Sequence, residues 1–466
     1  MTAKRGEISV FLSLILVCIL SLFLGLVESA RTAGARVYLE MAVNSSMDSV
    51  MSQYNRNLWD MYHLLFLETE SDKAIEESFT SYLGFYLEQE NFYPMKIKEV
   101  NVIGTETMME EKGRALEQEI LSYVKYRLPD VAKDMADVET ILDIVEEMDQ
   151  EEPDWDAANE CIDVVTDTSA EEQTEIDWEK IRLLERLEEI FRGDLLDLIL
   201  AEDVAVSKKS VQLKGIPSAK GVSGLGAVES IAGTNLLEQF MINEYCLLSF
   251  DSFQTRCERK LAPVQQPLQY EQEYLLCGNA SDRKNLIETA EKLLMLRGAL
   301  NLSYLLQTPE CRKEVDVFTM AISGGNVYIQ AVLSLFVLSL WAFGEAVWDV
   351  KLLMRGNAVP FMKNKSEWKL DMEEFLALRF LDDPPKSKIE GKDYVDYLRI
   401  LFFLTNRAER NFRIMDVIQW NMQTVQEDFL VSDCISEVDI QTTVEERHLF
   451  LSKGVYSRTT VTNGTY

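Results

Sequence analysis

Residues 8–27 read ISVFLSLILVCILSLFLGLV, twenty residues without a charge, preceded by Lys4, Arg5 and Glu7 and followed by Glu28. At 1.5 Å per residue a helix of that length spans about 30 Å, the thickness of a bilayer's hydrocarbon core. The stretch therefore predicts a membrane anchor that touches lipid through residues 8–27. Ala33-Gly34-Ala35 has the small-x-small form of a cleavage site, but the apolar core is longer than the usual h-region of a signal peptide, so an uncleaved anchor is expected. The basic residues before the run favour an N-terminus inside and a C-terminal bulk outside the cytoplasm, a single-pass arrangement in the cell membrane. Arg31 and Arg36, beyond the run, count the other way.

Past Glu28, Val43, Met47, Val50, Tyr54, Leu58, Met61 and Leu65 recur at spacings of three and four, one face of an amphipathic helix. The anchor and this stretch thus read as one long helix, its first part in lipid and its second part on a soluble head. A second helix is expected over 71–87. Alternation through Met95, Ile97, Val100 and Val102 predicts one strand, and 108–128 returns to helical spacing before Pro129.

The net charge of −32, from 78 acidic and 46 basic residues, excludes nucleic acid as a partner, because a phosphate backbone is bound by clustered Lys and Arg. It also keeps the chain off anionic membrane surfaces, which suits a projecting ectodomain, and equally serves solubility. From 134 to 179 there are nineteen acids and no base, so 148–175 reads as a solvated linker. Asp149, Glu151, Glu152, Asp154 and Asp156 crowd together but lack the turn glycine of a calcium loop, and Pro153 interrupts them. Residues 178–200 form a charged amphipathic pattern with Ile181, Leu184, Leu187, Ile190, Phe191, Leu195 and Leu198 on one side, expected to pack on the N-terminal helices. Residues 207–226 combine lysines with Gly215, Gly221, Gly224 and Gly226. The spacing is not that of a Walker loop, so a flexible linker is expected.

Of seven cysteines, Cys18 lies in the anchor. Cys161, Cys246, Cys257, Cys277, Cys311 and Cys434 could form three disulfides outside the cell, but buried free thiols are the preferred reading. No CxxC pair supports zinc.

In the C-terminal half, 236–250 and 282–306 carry helical periodicity, and 268–276 looks extended. Residues 317–344 are uncharged, densest over 331–343, while Gly324, Gly325, Asn326 and Gln330 dilute the N-terminal side. A second span over 327–347 is one reading; a buried core helix is favoured because the dense part is short. Glu345 and Asp349 follow at i,i+4, so both carboxylates share a helix face. Such a pair can serve acid/base chemistry or hold a metal, but the chain has only His63 and His448 to help. The expected role is structural: buried ion pairs of Glu345 and Asp349 with Arg297 or Arg399 from neighbouring helices. No catalytic, cofactor-binding or metal residue is assigned. Two further striped helices cover 394–404 and 411–425. Val438, Ile440, Thr442 and Val444 then alternate with polar residues, 456–461 looks extended, and Asn463-Gly464 signals a turn.

The fold class is therefore α+β, predominantly α: a transmembrane helix running into a long amphipathic helix, and a helical head ending in a small β hairpin or sheet. The expected divisions are 1–30 for the tip and anchor and 31–147 for a helical region with one short strand. Residues 148–227 carry linkers around one helix, and 228–466 form a mainly helical domain ending in strands.

Several stretches resemble an uncharacterised membrane-protein family of Gram-positive bacteria similar to tight-adherence (Tad/Flp) pilus pseudopilin-like proteins. They are Arg5-Gly6-Glu7, Glu28-Ser29-Ala30-Arg31, Tyr54-Asn55-Arg56-Asn57-Leu58-Trp59 and Asn243-Glu244-Tyr245, then Glu273-Tyr274 with Gly278, Asn285-Leu286, Leu296-Arg297 and Asn301. The set continues through Ala342 with Glu345 and Asp349, Gly356 with Lys363, Tyr397-Leu398-Arg399 and Arg413-Ile414-Met415-Asp416. The resemblance covers most of the chain except the acidic middle. It implies a non-enzymatic, membrane-anchored extracytoplasmic assembly component whose partners are other pilus or secretion-system proteins. One departure concerns processing: cleavage after Gly6 would put Phe11 where processed pilins carry Glu. The competing readings are a cell-surface sensor or adhesion module that binds an extracellular ligand, and a hydrolase. Neither GxSxG nor HExxH occurs to support the hydrolase.

Overall fold

The computed structural model describes residues 3–88, 92–125, 177–192, 205–221, 236–384, 390–447 and 455–466, short pieces between 138 and 164, and residues 199 and 450. The chain divides into two compact units. One comprises Met1–Glu119, Lys260–Pro263 and Met422–Tyr466, the other Ile120–Arg259 and Val264–Asn421. The class is α+β with helix predominant, as the sequence predicts: a long apolar N-terminal helix and a small antiparallel sheet built from the C-terminal strands.

The first unit begins with α1 (Ala3–Met51), a single helix of 49 residues. Over 8–27 its apolar side chains are exposed on every side, with Phe11, Leu16, Ile19, Leu22 and Phe23 all more than half accessible. A helix apolar all round needs apolar surroundings. From Arg31 onward the same helix buries one stripe, Ala35, Leu39, Val43, Met47 and Val50, against its own head. The periodicity that continued to Leu65 is interrupted. α1 stops at Met51, and Asn55 caps a separate helix, α2 (Arg56–Tyr62), by accepting from the Leu58 amide at 2.9 Å. Leu58 and Met61 are buried in that second helix.

β1 (Leu67–Glu68) precedes α3 (Asp72–Leu87), whose Ile75, Phe79, Leu83 and Leu87 fall at four-residue intervals on the face toward α1. Tyr38 ties the two helices by donating to the Tyr86 carbonyl at 2.6 Å. β2 (Met95–Thr107) runs longer than a short strand, so α4 (Arg114–Val124) starts later than the spacing from Met108 suggests. β3 (Cys434–Arg447) is the central strand, pairing antiparallel with β1, β2 and β4 (Val455–Thr465). Its Val438, Ile440 and Val444 are buried in the core formed by α1 and α3, while Asp439, Gln441, Thr443 and Glu445 between them are half-buried. That is the period of two the sequence shows.

The pairing moves the C-terminal strands out of the domain expected over 228–466. Val102 faces Ile440 and Lys96 faces Glu445, so β3 belongs with the N-terminal helices. An isolated hairpin is marginal in water, and β2 supplies the third long strand that makes the sheet stable. Asn463-Gly464 is not a turn either. Gly464 lies within β4 opposite Val438, and a Cβ there would stand 2.5 Å from the Met47 sulfur and 3.0 Å from Met51 Cγ. The glycine serves close approach of helix and strand. Gly464→Val should therefore destabilise by about 1–3 kcal/mol through overpacking against Met47 and Met51, read as a lowered urea midpoint at unchanged m-value.

The second unit is helical: α5 (Trp178–Arg192), α6 (Leu236–Ser249), α7 (Glu271–Cys277), α8 (Asp282–Gln307), α9 (Pro309–Met320), α10 (Val327–Met354), α11 (Met372–Leu376), α12 (Tyr394–Phe403) and α13 (Arg407–Gln423). α10 packs along α8 and against α9, with Leu333, Phe336, Val337, Leu340, Trp341, Ala346 and Val350 buried. Among the described residues two helices are long and apolar enough to cross a membrane. The apolar window of α1 is 0% buried and that of α10 is 56% buried, which makes the second a core helix for most of its length.

Three sequence expectations change here. Residues 271–277 are helical rather than extended: Glu271, Gln272 and Glu273 are all buried and each is bonded to the 247–253 backbone, an arrangement no alternation announces. α5 buries Ile181, Leu184 and Leu187 in this unit, with α10 as a neighbour, where the sequence alone suggested the N-terminal helices. The stretch 205–221 is tied down rather than free. Ser210 bridges to Ser281, and the Ser207 hydroxyl donates to Asp282 at 2.6 Å. Gly224, Gly226 and the acidic stretch with its five crowded carboxylates lie outside the described residues. All seven cysteines are free, and burial pushes the Cys246 thiol up to about 12 and that of Cys277 to about 11, so both stay protonated at neutral pH.

Candidate functional site

Three of the four expected ion-pair residues meet in the second unit. α8 carries Arg297 and Asn301 one turn apart, and α10 carries Glu345 and Asp349 one turn apart on the face toward them. Arg297 donates through Nε and Nη2 to Asp349 Oδ2 at 3.0 and 2.9 Å. Its remaining hydrogen bonds go to Asn301 Oδ1 at 2.7 Å, to the carbonyls of Pro360 and Phe361 at 3.0 and 2.7 Å, and to the Tyr397 hydroxyl at 3.1 Å. The guanidinium thus uses its planar fork to join α8, α10, α12 and the 359–361 segment.

The second cation is Lys363, which the sequence reading did not assign to the pair. Its ammonium bonds Glu345 Oε1 and lies 2.5 Å from Asp349 Oδ1. Glu345 also accepts from the backbone amides of Lys369 at 3.0 Å and Leu370 at 2.9 Å. Trp341 and Trp368 both donate to the Leu370 carbonyl, at 2.8 and 2.6 Å, so the loop that delivers Lys363 is stapled to α10. Two cations and two carboxylates make the cluster neutral, and all four carboxylate oxygens have donors. Burial pushes the Glu345 carboxyl above its usual range, with Lys363 working against the rise. Burial acts on Asp349 the same way, but Lys363 and Arg297 outweigh it and hold that carboxyl below its usual range.

Arg399 is elsewhere. It bonds Glu244 of α6 through Nε and reaches Asp396 Oδ1 at 2.5 Å, one turn back on α12. The sequence placed it correctly on an apolar helix but gave no means of choosing between two acidic partners.

A second group of buried carboxylates holds the 250–270 loop. Glu271 bonds the guanidinium of Arg259, and accepts from the Asp251 amide at 2.8 Å and the Asn421 side chain at 2.6 Å. Asp282 accepts from the amides of Gln269 and Tyr270, at 3.0 and 3.2 Å. Glu273 has no cation among these partners. One of its oxygens accepts from the Phe253 amide and the Tyr394 hydroxyl, both at 2.8 Å, and Oε2 has no hydrogen-bond partner among the described residues. Burial first, with a contribution from Asp282, pushes its carboxyl up to about 7.

A cleft of about 370 Å³ on the same loop is lined by Lys209, Ser210, Gln265, Gln266 and Pro267, and the Lys209 ammonium is engaged by the Gln266 carbonyl at 2.6 Å. Among the described residues no group of three or more His, Cys, Asp and Glu is placed to hold a metal ion. Chemically, the arrangement around Arg297 can fix how helices meet. No curated protein and no solved structure matches the chain. A family model matches residues 173–446, more than half of the 466, with Arg297, Glu345, Lys363 and Asp349 all inside the match, and the chain belongs to that family, DUF5702, a family of unknown function.

Proposed function

We propose that this protein is a non-enzymatic, membrane-anchored extracytoplasmic assembly subunit, similar to the pseudopilin-like proteins of tight-adherence pili or secretion systems. The observation that carries the reading is α1: one unbroken helix that is apolar all round over 8–27 and then packs a buried stripe into a helix-and-sheet head. Such a helix couples a lipid-embedded segment rigidly to a folded body, the arrangement an assembling subunit needs. The single-pass orientation rests on Lys4 and Arg5 before the anchor. Arg31, on the far side, is engaged by the head. It is buried, donates to the Arg447 carbonyl at 2.9 Å and lies 3.9 Å from a Glu446 carboxylate oxygen. The non-enzymatic part rests on the paired carboxylates Glu345 and Asp349 being committed to cations and backbone amides rather than open to substrate.

Alkaline phosphatase fused after Tyr466 should be active and a fluorescent protein fused there should be dark. A fluorescent fusion without phosphatase activity overturns the orientation, and a mature chain starting at Glu7 or Arg36 overturns the uncleaved anchor. Assembly is tested through Cys18, an exposed thiol of the anchor. Oxidation in native membranes should link it to another anchored chain. A thiol that stays monomeric while remaining reactive to a membrane-permeant maleimide counts against packing between anchors.

A further inference from the structure

The turn between α9 and α10 is unlike the rest of the second unit. Val317, Met320, Val327 and Tyr328 are 72, 66, 78 and 71% exposed, four large apolar side chains within twelve residues. No charge occurs from 317 to 344. Gly324 and Gly325, at φ of +59° and +85°, make the reversal. The polar backbone there is largely consumed internally. Ile322 and Ser323 amides donate to the Thr319 carbonyl at 3.0 and 2.8 Å, and Asn326 donates to Ser323 at 3.1 Å. The Asn326 side chain accepts from the amides of Tyr328 and Ile329 at 3.0 and 3.4 Å.

We propose that residues 317–329 form a membrane-dipping tip that inserts Val317, Met320, Val327 and Tyr328 into the interfacial layer of a lipid bilayer. Three features select lipid over a protein partner. The exposed apolar area is on the order of 500 Å², short of the roughly 800 Å² per partner that a stable protein interface buries. An uncharged turn whose amides at 322, 323, 326, 328 and 329 are bonded within the turn suits the interfacial layer, while the hydrocarbon core would penalise each backbone group left unpaired. Tyrosine is also a side chain of the membrane–water boundary. The nearest charges in sequence, Arg312, Lys313, Glu314 and Asp316 on the adjoining turns of α9, sum to zero, and the Lys180 ammonium, 5.0 Å from the Phe318 ring, is paired with Asp177, so anionic lipid is not required.

The test uses the full chain carrying Cys18→Ser, Cys257→Ser, Cys277→Ser and Cys311→Ser, which removes the exposed and partly exposed thiols, reconstituted in phosphatidylcholine vesicles, with Val327→Cys or Met320→Cys bearing a polarity-sensitive dye. Val264→Cys, at an 81% exposed site on the 250–270 loop, serves as the control. Nitroxide-labelled phosphatidylcholine should quench the dye at 327 and at 320 about twofold, since an interfacial element sits about 5–10 Å deep, and should leave 264 unchanged. Equal emission with and without nitroxide lipid at both tip positions overturns the proposal. So does a blue-shifted signal that resists nitroxide lipid and fades on dilution of the protein, which would identify a second copy as the occupant.

Discussion

Asp349→Ala should destabilise the protein by about 3–5 kcal/mol, the cost of leaving a buried charge uncompensated. Asp349 is the one carboxylate that meets both Arg297 and Lys363, and it also accepts from Asn301 at 3.2 Å. Its removal leaves a fully buried guanidinium with neutral partners only. Glu345→Ala should fall at the lower end of the same range, because Lys363 keeps Asp349 while the Lys369 and Leu370 amides lose their acceptor. The pH dependence follows from the direction of the shift. A carboxyl held below its usual range contributes fully above the unfolded value and loses that contribution as pH falls through the folded one, so Asp349 supports the fold at neutral pH and fails it only in acid. Urea unfolding at pH 7 measures both variants. If Asp349→Ala unfolds with the parent and instead loses a bound metal or an activity, the cluster is a chemical site and not a brace.

What the sequence disclosed about this cluster, and what it withheld, has a physical basis. Glu345 and Asp349 were legible because an i,i+4 pair on an apolar helix must find cations, and Arg297 was legible because it sits in a run of leucines with the same need. Lys363 lies in a loop without periodicity, so nothing local marked it as buried, although Gly356 and Lys363 fell within the family resemblance. The same contrast runs through the fold. The apolar N-terminal helix, α3, α8, α12 and the alternation of β3 depend on neighbours in sequence and were readable. The pairing of β3 with β2, across more than three hundred residues, depends on a partner that alternation cannot name. Gly464 shows the limit most clearly: after Asn463 it has the local signature of a turn, yet it pairs with Val438 in the sheet and Met47, on a helix at the other end of the chain, fills the space a side chain would need.

Glu273→Gln should abolish a stability gradient of about 3 kcal/mol between pH 4.5 and 7. The carboxyl is raised from 4.5 to about 7 because it is fully buried with no compensating cation and lies near Asp282, which together outweigh the lowering by the Phe253 amide and the Tyr394 hydroxyl. In that window the folded protein holds a proton that the unfolded chain has released. The unfolded state therefore binds fewer protons, and stability falls as pH rises, which is the reverse of the sign for Asp349. Protonation also gives Glu273 a donor of its own, so the neutral form is the better guest in a site where Oε2 lacks a partner. The difference between parent and Glu273→Gln isolates this residue from the general repulsion of an acidic chain, since both carry every other charge. Denaturant unfolding at half-unit steps from pH 4.5 to 8 should show the parent losing stability relative to the variant and levelling off above pH 7. Parallel curves would mean that Glu273 is already ionised in the folded protein at pH 5, and that the loop amide of Phe253 and the Tyr394 hydroxyl suffice to hold its charge.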